Sequence, residues 1–237
     1  MRKSRFVVKI GGSILRQRGA ADRLLGYLAK LPQKRETVLV FGSGSLASVL
    51  NAELAAVFNH SDRGAHLSTL LVRDCVATYA VAAKPMLSLA DSTFAIEAAW
   101  SQGRLPVLRQ SALVSWLGRF AWSKRMSSDS VAGVLAGLID AQRLILLKDV
   151  AGIYDSFPPI GTAKPLRRIS TRHLRQKVRS CVDPLLPSVL ELFRLRCLVA
   201  SGMDLVNVAS CFDSRPSCGT WIDVLAQSRR RRGPGGI

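Results

Sequence analysis

The chain has 237 residues, 48% of them hydrophobic, and a formal net charge of +18. That length can bury one large α/β core, and the apolar content excludes a disordered protein. No apolar run reaches the roughly 18 residues of a membrane span, so no membrane partner is expected.

In chain order, Met1-Arg2-Lys3-Ser4-Arg5-Phe6 carries charge but leads into only a short apolar stretch that breaks at Gly11-Gly12. It does not read as a secretory signal, and a cytoplasmic location is expected. Residues 6 to 10 predict a β-branched strand running straight into Gly11-Gly12-Ser13. Two glycines at a strand end let a phosphate approach backbone N–H groups closely, and Lys9 adds a mobile positive charge just before the turn. The plainer reading of the glycines is a tight strand-to-helix turn. Leu24, Leu25, Leu28 and Leu31 form a helical stripe that Pro32 ends. Residues 37 to 41 predict a second strand, ending in Gly42-Ser43-Gly44, and the next helix carries Leu46, Val49, Leu50, Leu54 and Val57 on one face. Two consecutive strand, glycine loop and helix units carry more weight than one.

Gly42-x-Gly44-x-x-Ala47 is also a variant of the dinucleotide fingerprint. A dinucleotide site would need a second strand ending in an acidic residue about 20 residues on. Around Asp62 the pattern is instead a helix and its exit loop, which ranks this reading low. Residues 65 to 83 predict a helix with His66 at its start, placed either to touch a ligand or to cap. Residues 92 to 100 read as helix, and 105 to 108 as a short strand. The stretch 110 to 126, with Trp116 and Trp122 and poor periodicity, reads as a loop or short helix.

Ser127 and Ser128 are N-cap candidates for a buried helix with Val131, Leu135 and Leu138 at helical spacing. After Asp140-Ala141, residues 144 to 147 form an uninterrupted apolar run, the pattern of a central parallel strand. It ends in Lys148, Asp149 and Gly152, and ligands of open α/β sheets sit beyond the carboxyl ends of strands. Phe157-Pro158-Pro159 and Gly161 mark a loop, Ser170 caps a helix running toward Lys177, and Val182-Asp183-Pro184 opens another through Leu190 and Leu192. Residues 197 to 200 and 205 to 209 read as late strands, and 219 to 222 as a last edge strand. Cys75, Cys181, Cys197, Cys211 and Cys218 lack any C-x-x-C spacing and read as reduced core thiols. With three scattered histidines there is no metal-ligand pattern. Arg229 to Arg232 fall in a tail, 229–237, expected to be disordered. The charge on the rest favours anionic ligands, phosphates included. Without a nucleic-acid motif, nonspecific nucleic-acid binding is compatible but not favoured.

Four motifs in order, Val7-Val8-Lys9-Ile10-Gly11-Gly12-Ser13, the loop at 42 to 44, Ser128-Asp129-Ser130-x-Ala132, and Lys148-Asp149-Val150-x-Gly152-Ile153-Tyr154, resemble the amino-acid kinase superfamily from residue 6 to about 222. The resemblance implies a three-layer α/β/α sandwich around a mainly parallel sheet of about eight strands. It implies a single domain over 1–228, with an acceptor lobe over about 1–125 and a nucleotide lobe over about 126–228. It further implies ATP and Mg²⁺, a small-molecule acceptor and a homo-oligomer. Lys9 matches the lysine that neutralises the transferring phosphoryl group, and Asp129 the aspartate that holds the catalytic lysines. Gly11, Gly12, Ser13, Lys148, Asp149, Gly152, Tyr154 and Asp155 match positions bordering the nucleotide. Gly42, Ser43, Gly44, His66 and Ser128 match the acceptor side, and no metal-ligating residue is implied. Ala65-His66, residues 103 to 107, Trp122 and Cys181-Val182-Asp183-Pro184 look like a subgroup that includes kinases of methanofuran biosynthesis, whose acceptor is already phosphorylated. Two departures stand out. Ser43 replaces a glycine, and Val182-Asp183-Pro184 offers no lysine where many members bring a second one from beyond the nucleotide segment, so Lys177 or Arg179 would have to substitute. They leave open a catalytically silent nucleotide-binding homologue, acting as a sensor or storage subunit.

Overall fold

The computed structural model describes residues 4–30, 35–58, 61–118, 126–156, 159–160, 163–177 and 180–224. Strand β1 (Ser4–Ile10) is its centre, with residues 7 to 10 all buried, so both of its faces are covered, as in a parallel sheet between two helical layers. On one side it pairs in parallel with β2 (Arg35–Phe41), followed outward by β4 (Leu105–Leu108) and β3 (Leu87–Ala90). On the other it pairs in parallel with β5 (Arg143–Lys148), then β7 (Cys197–Ser201). Beyond these, β8 (Thr220–Asp223) runs antiparallel to β7, and β6 (Arg168–Ser170) is the edge. The result is an 8-stranded, mainly parallel sheet.

Side chains alternate across the strands, so each face buries its own cluster. Val7, Val38, Leu144, Leu146 and Val199 pack against α5 (Thr93–Ser101), α7 (Ser128–Leu138) and α9 (Leu186–Phe193). Val8, Ile10, Leu39, Ile145 and Leu198 pack against α2 (Ala20–Leu28) and α10 (Leu205–Ser210). This is the three-layer α/β/α sandwich expected. Among the described residues the remaining helices are α1 (Gly12–Leu15), α3 (Leu46–Val57), α4 (Asp62–Ala83), α6 (Gln110–Leu117) and α8 (Thr171–Gln176).

Several expectations change. Residues 205 to 209 form helix α10 rather than a strand, because the Asp204 carboxylate accepts the Val206 N–H at 2.9 Å and starts a helical turn after β7. The strand near 219 to 222 is interior, with β6 outside it. Two short strands, β3 and β6, were not foreseen. Of the two readings for the stretch from 110, the short helix holds over 110 to 117, with Trp116 exposed. The low rank of the dinucleotide reading agrees with the structure, where Asp62 begins α4 and ends no strand. Cys75 is exposed and Cys181 and Cys218 half-buried, so only Cys197 and Cys211 are core thiols. The expectations for Pro32, Trp122, Phe157-Pro158, Gly161, Arg179 and the 229–237 tail lie outside the described residues.

Candidate active site

The carboxyl ends of β1, β2 and β5 meet at one place. Gly11 N–H donates to Leu147 O at 2.8 Å, and Gly42 N–H to Ile10 O at 2.9 Å. The two glycine turns touch backbone to backbone: a Cβ on Gly12 would lie 2.2 Å from Gly44 N, and one on Gly42 would lie 2.6 Å from Gly12 N. No larger residue fits at Gly12 or Gly42, and Gly44 in addition holds φ +61, the left-handed region. Ser13 and Ser43 stand half-buried beside these turns.

In the parallel register Lys9 lies opposite Leu146. Residues two apart share a strand face, so Lys9 and Lys148 point to the same side of the sheet, the side that α7 covers. Asp129, in the first turn of α7, drops onto both. Its Oδ1 lies 2.8 Å from Lys9 Nζ, and Lys148 Nζ donates to Oδ1 at 2.9 Å and Oδ2 at 2.7 Å. All three side chains are buried. Burial opposes ionisation of Asp129, but the attraction of Lys9 and Lys148 outweighs it and holds the carboxyl well below the usual carboxylate range. Burial, with the neighbouring charge of Lys148, pushes Lys9 down to about 8, while the pull of Asp129 overcomes burial at Lys148 and raises it.

The end of α7 that carries Asp129 is fixed from two directions. Ser127 is the N-cap, its Oγ accepting Asp129 N–H at 3.1 Å. Ser128, buried, is the first helical residue rather than the cap. Asp183 then accepts from Ser127 Oγ, from Ser130 N–H at 3.0 Å, and from Leu185 and Leu186 N–H at 2.7 and 3.1 Å. One carboxylate thus ties the starts of α7 and α9 together, at the place where a second lysine was looked for. The second ammonium on Asp129 is that of Lys148, at the end of β5.

The segment after β5 is held by Thr220, which the sequence did not single out. Its buried Oγ1 accepts Ile153 N–H at 2.9 Å and donates to Leu166 O, and a Cβ on Gly152 would lie 2.5 Å from it. Tyr154 is half-buried and Asp149 and Asp155 are exposed. Lys177 Nζ donates to Asp155 O at 2.7 Å, so it belongs to this segment rather than to the Asp129 cluster. Beside it opens a cavity of about 510 Å³ lined by Asp155, Leu166, Arg168, His173 and Lys177 among others, with none of Lys9, Asp129 and Lys148 on its wall. His66 lies half-buried near the start of α4. Replacing Thr220 by valine keeps the shape and removes both hydrogen bonds. The expected result is a loss of about 1 to 3 kcal/mol in urea unfolding and a raised nucleotide KM with a smaller change in kcat.

The sequence model of the Amino acid kinase family matches residues 4–199. The chain belongs to that family, a family of phosphotransferases. Its relatives include the [5-(aminomethyl)furan-3-yl]methyl phosphate kinase of Methanocaldococcus jannaschii, 25% identical over 91% of this chain and 96% of that one. A uridylate kinase of Methanosarcina barkeri is 26% identical over 92% and 97%. Among solved structures, uridylate kinase from Archaeoglobus fulgidus superposes with a TM-score of 0.73 at 19% identity, covering 92% of this chain and 99% of that one. Among the described residues no helix is long and apolar enough to cross a membrane.

Proposed function

We propose that the protein transfers the γ-phosphoryl group of ATP to an oxygen of a small acceptor that already carries a phosphate. The observation that carries this reading is the buried trio: two ammonium groups share one carboxylate, leaving a surplus positive charge with no further acid within the trio. A phosphoryl group in flight, with charge spread over three oxygens, is the anion such a site suits. In this reading Lys9 and Lys148 flank the transferring group and Asp129 holds both in place. The backbone of Gly11, Gly12 and Ser13 faces the nucleotide phosphates, and Gly42, Ser43 and Gly44 face the acceptor. The nucleotide lies along residues 148 to 155, with Asp149, Gly152, Tyr154 and Asp155 at its border and Thr220 behind. His66 and Ser128 belong to the acceptor side.

Mg²⁺ keeps several waters and binds substrate phosphates rather than an all-protein cage. Among the described residues no three His, Cys, Asp or Glu side chains gather in a metal-binding group. The fit is therefore one in which the nucleotide phosphates hold the ion, supplying charge neutralisation there. A cytoplasmic homo-oligomer is part of the proposal. Leu46, Val49 and Val57 of α3 are exposed, an apolar face that supports association of two copies.

The test is turnover with Mg·ATP on a panel of acceptors that includes UMP and [5-(aminomethyl)furan-3-yl]methyl phosphate, beside calorimetric ATP binding. ATP binding with no turnover on any acceptor would instead favour the silent homologue. The reading also implies a pH limb. Burial pushes Lys9 down to about 8 in the free protein, so kcat/KM is expected to fall as pH rises through that value. Because the lysines titrate as a pair, the limb reports the first proton lost. In Lys9→Arg the limb is expected to disappear from the pH-rate profile.

A further inference from the structure

Near the same helix start sits a buried cation that this reaction does not use. Arg73, on α4, is 7% exposed. Its one hydrogen bond among the described residues runs from Nη1 to Met126 O at 3.4 Å, and its enclosed Nε bonds nothing. Met126 immediately precedes Ser127, the N-cap of the helix that carries Asp129. The three acids whose charge Arg73 feels are Asp129, Asp183 and Asp74. Each is already engaged. Asp129 is shared by Lys9 and Lys148, and Asp183 caps α7 and α9. Asp74 accepts Gln110 N–H at 2.7 Å and the Ser111 N–H and hydroxyl at the start of α6. Burial pushes the Arg73 guanidinium down to about 10, which still leaves it charged at neutral pH.

A guanidinium has five N–H donors in a rigid fork, and here one is used, weakly. A buried charge this poorly paired is costly, and the cost is recovered when an anion arrives. The fork matches phosphate oxygens two at a time. We propose that Arg73 anchors the phosphate already present on the acceptor, placing that phosphate beside the start of α7 while the reacting oxygen faces the Lys9–Asp129–Lys148 trio. This rests on the kinase reading above and names what that site recognises: a phosphate monoester, not a carboxylate.

The experiment is calorimetric titration of the full chain with benzyl phosphate and, separately, benzoate. Mg²⁺ and a β,γ-imido ATP analogue are kept at saturation, so that the lysine trio is already occupied. The wild type is expected to bind the monoester and not benzoate. Arg73→Met is expected to weaken monoester binding about tenfold or more, as loss of a charge-assisted pair implies, with analogue affinity unchanged. Its urea midpoint in the absence of ligand is expected at or above the wild type's, because a poorly paired buried charge has gone. A purely structural arginine would show the reverse, a lower midpoint and unchanged monoester affinity, and that result overturns the proposal. So does a wild type that ignores benzyl phosphate or prefers benzoate. Should Arg73→Met not fold, Arg73→Lys keeps charge without the fork, and unchanged affinity in it is equally fatal. Failure of the wild type to bind the ATP analogue sinks the kinase reading instead, and the monoester titration without nucleotide then decides Arg73 alone.

Discussion

Lys148→Met is expected to lower kcat by a factor on the order of 10² or more, with a much smaller change in the KM for ATP. The side chain reaches Asp129 at 2.7 Å from the last position of a fully buried strand, so its ammonium is held without rotamer freedom beside that of Lys9. Charge fixed in advance, in a site shielded from water, stabilises a transition state more than a mobile surface lysine does. Methionine keeps the length and apolar body of the side chain and removes only the charge, so folding is not the issue. Lys9→Ala is expected to cost as much or more, and because the two lysines act on one group, the double variant should lose less than the product of the two factors. Single-turnover kinetics of the two single variants and the double variant check this. A Lys148→Met enzyme with undiminished kcat would leave Lys148 as a mere structural counter-ion to Asp129.

How far this could be seen in advance follows from what each feature depends on. The strands near residues 6 to 10 and 144 to 147 announced themselves because a strand covered on both faces needs an unbroken apolar run. The glycine turns were visible because close backbone contact, as between Gly12 and Gly44, admits no side chain. By contrast β3, Leu-Ser-Leu-Ala, holds no β-branched residue, and β6 is three residues long, so their strand character comes only from neighbours in the sheet. The valines at 206 and 208 read as strand although Asp204 offered a helix-start signal two residues ahead.

Lys9 and Asp129 came from motif resemblance, and the structure brings them together. The position of Lys148 in the same trio was not legible, since it depends on the register that sets Lys9 opposite Leu146 and so puts residues 139 positions apart on one face. The tie from Asp183 to α7 and the hold of Thr220 on the segment after β5 were silent for the same reason: each joins segments more than 50 residues apart. Arg73 falls in no motif, and its burial depends on what packs against α4 rather than on its neighbours in the sequence.

Asp129→Asn is expected to destabilise the fold by about 3 to 5 kcal/mol near neutral pH, the range for breaking a buried ion pair by removing one partner. Asparagine fills the same space, so packing is preserved and the effect isolates charge. Without the carboxylate, the Lys9 and Lys148 ammonium groups face each other in a site where each is less than one-tenth exposed. Lys148 must then drop below the unfolded lysine value and Lys9, already below it, falls further, so the unfolded chain binds more protons than the folded one. Stability of the variant therefore rises as pH increases toward the unfolded lysine value, about 10.4, and the gap to the wild type narrows. Urea unfolding of both proteins at neutral pH and about two units higher measures that slope. Adding Lys148→Met to Asp129→Asn removes the repulsion at its source and is expected to restore part of the lost stability, a positive coupling that a double-mutant cycle reads directly. A pH-independent deficit, unaffected by the second substitution, would mean that the trio is not held together by charge and that a surplus cation is not what the fold keeps for the phosphoryl group.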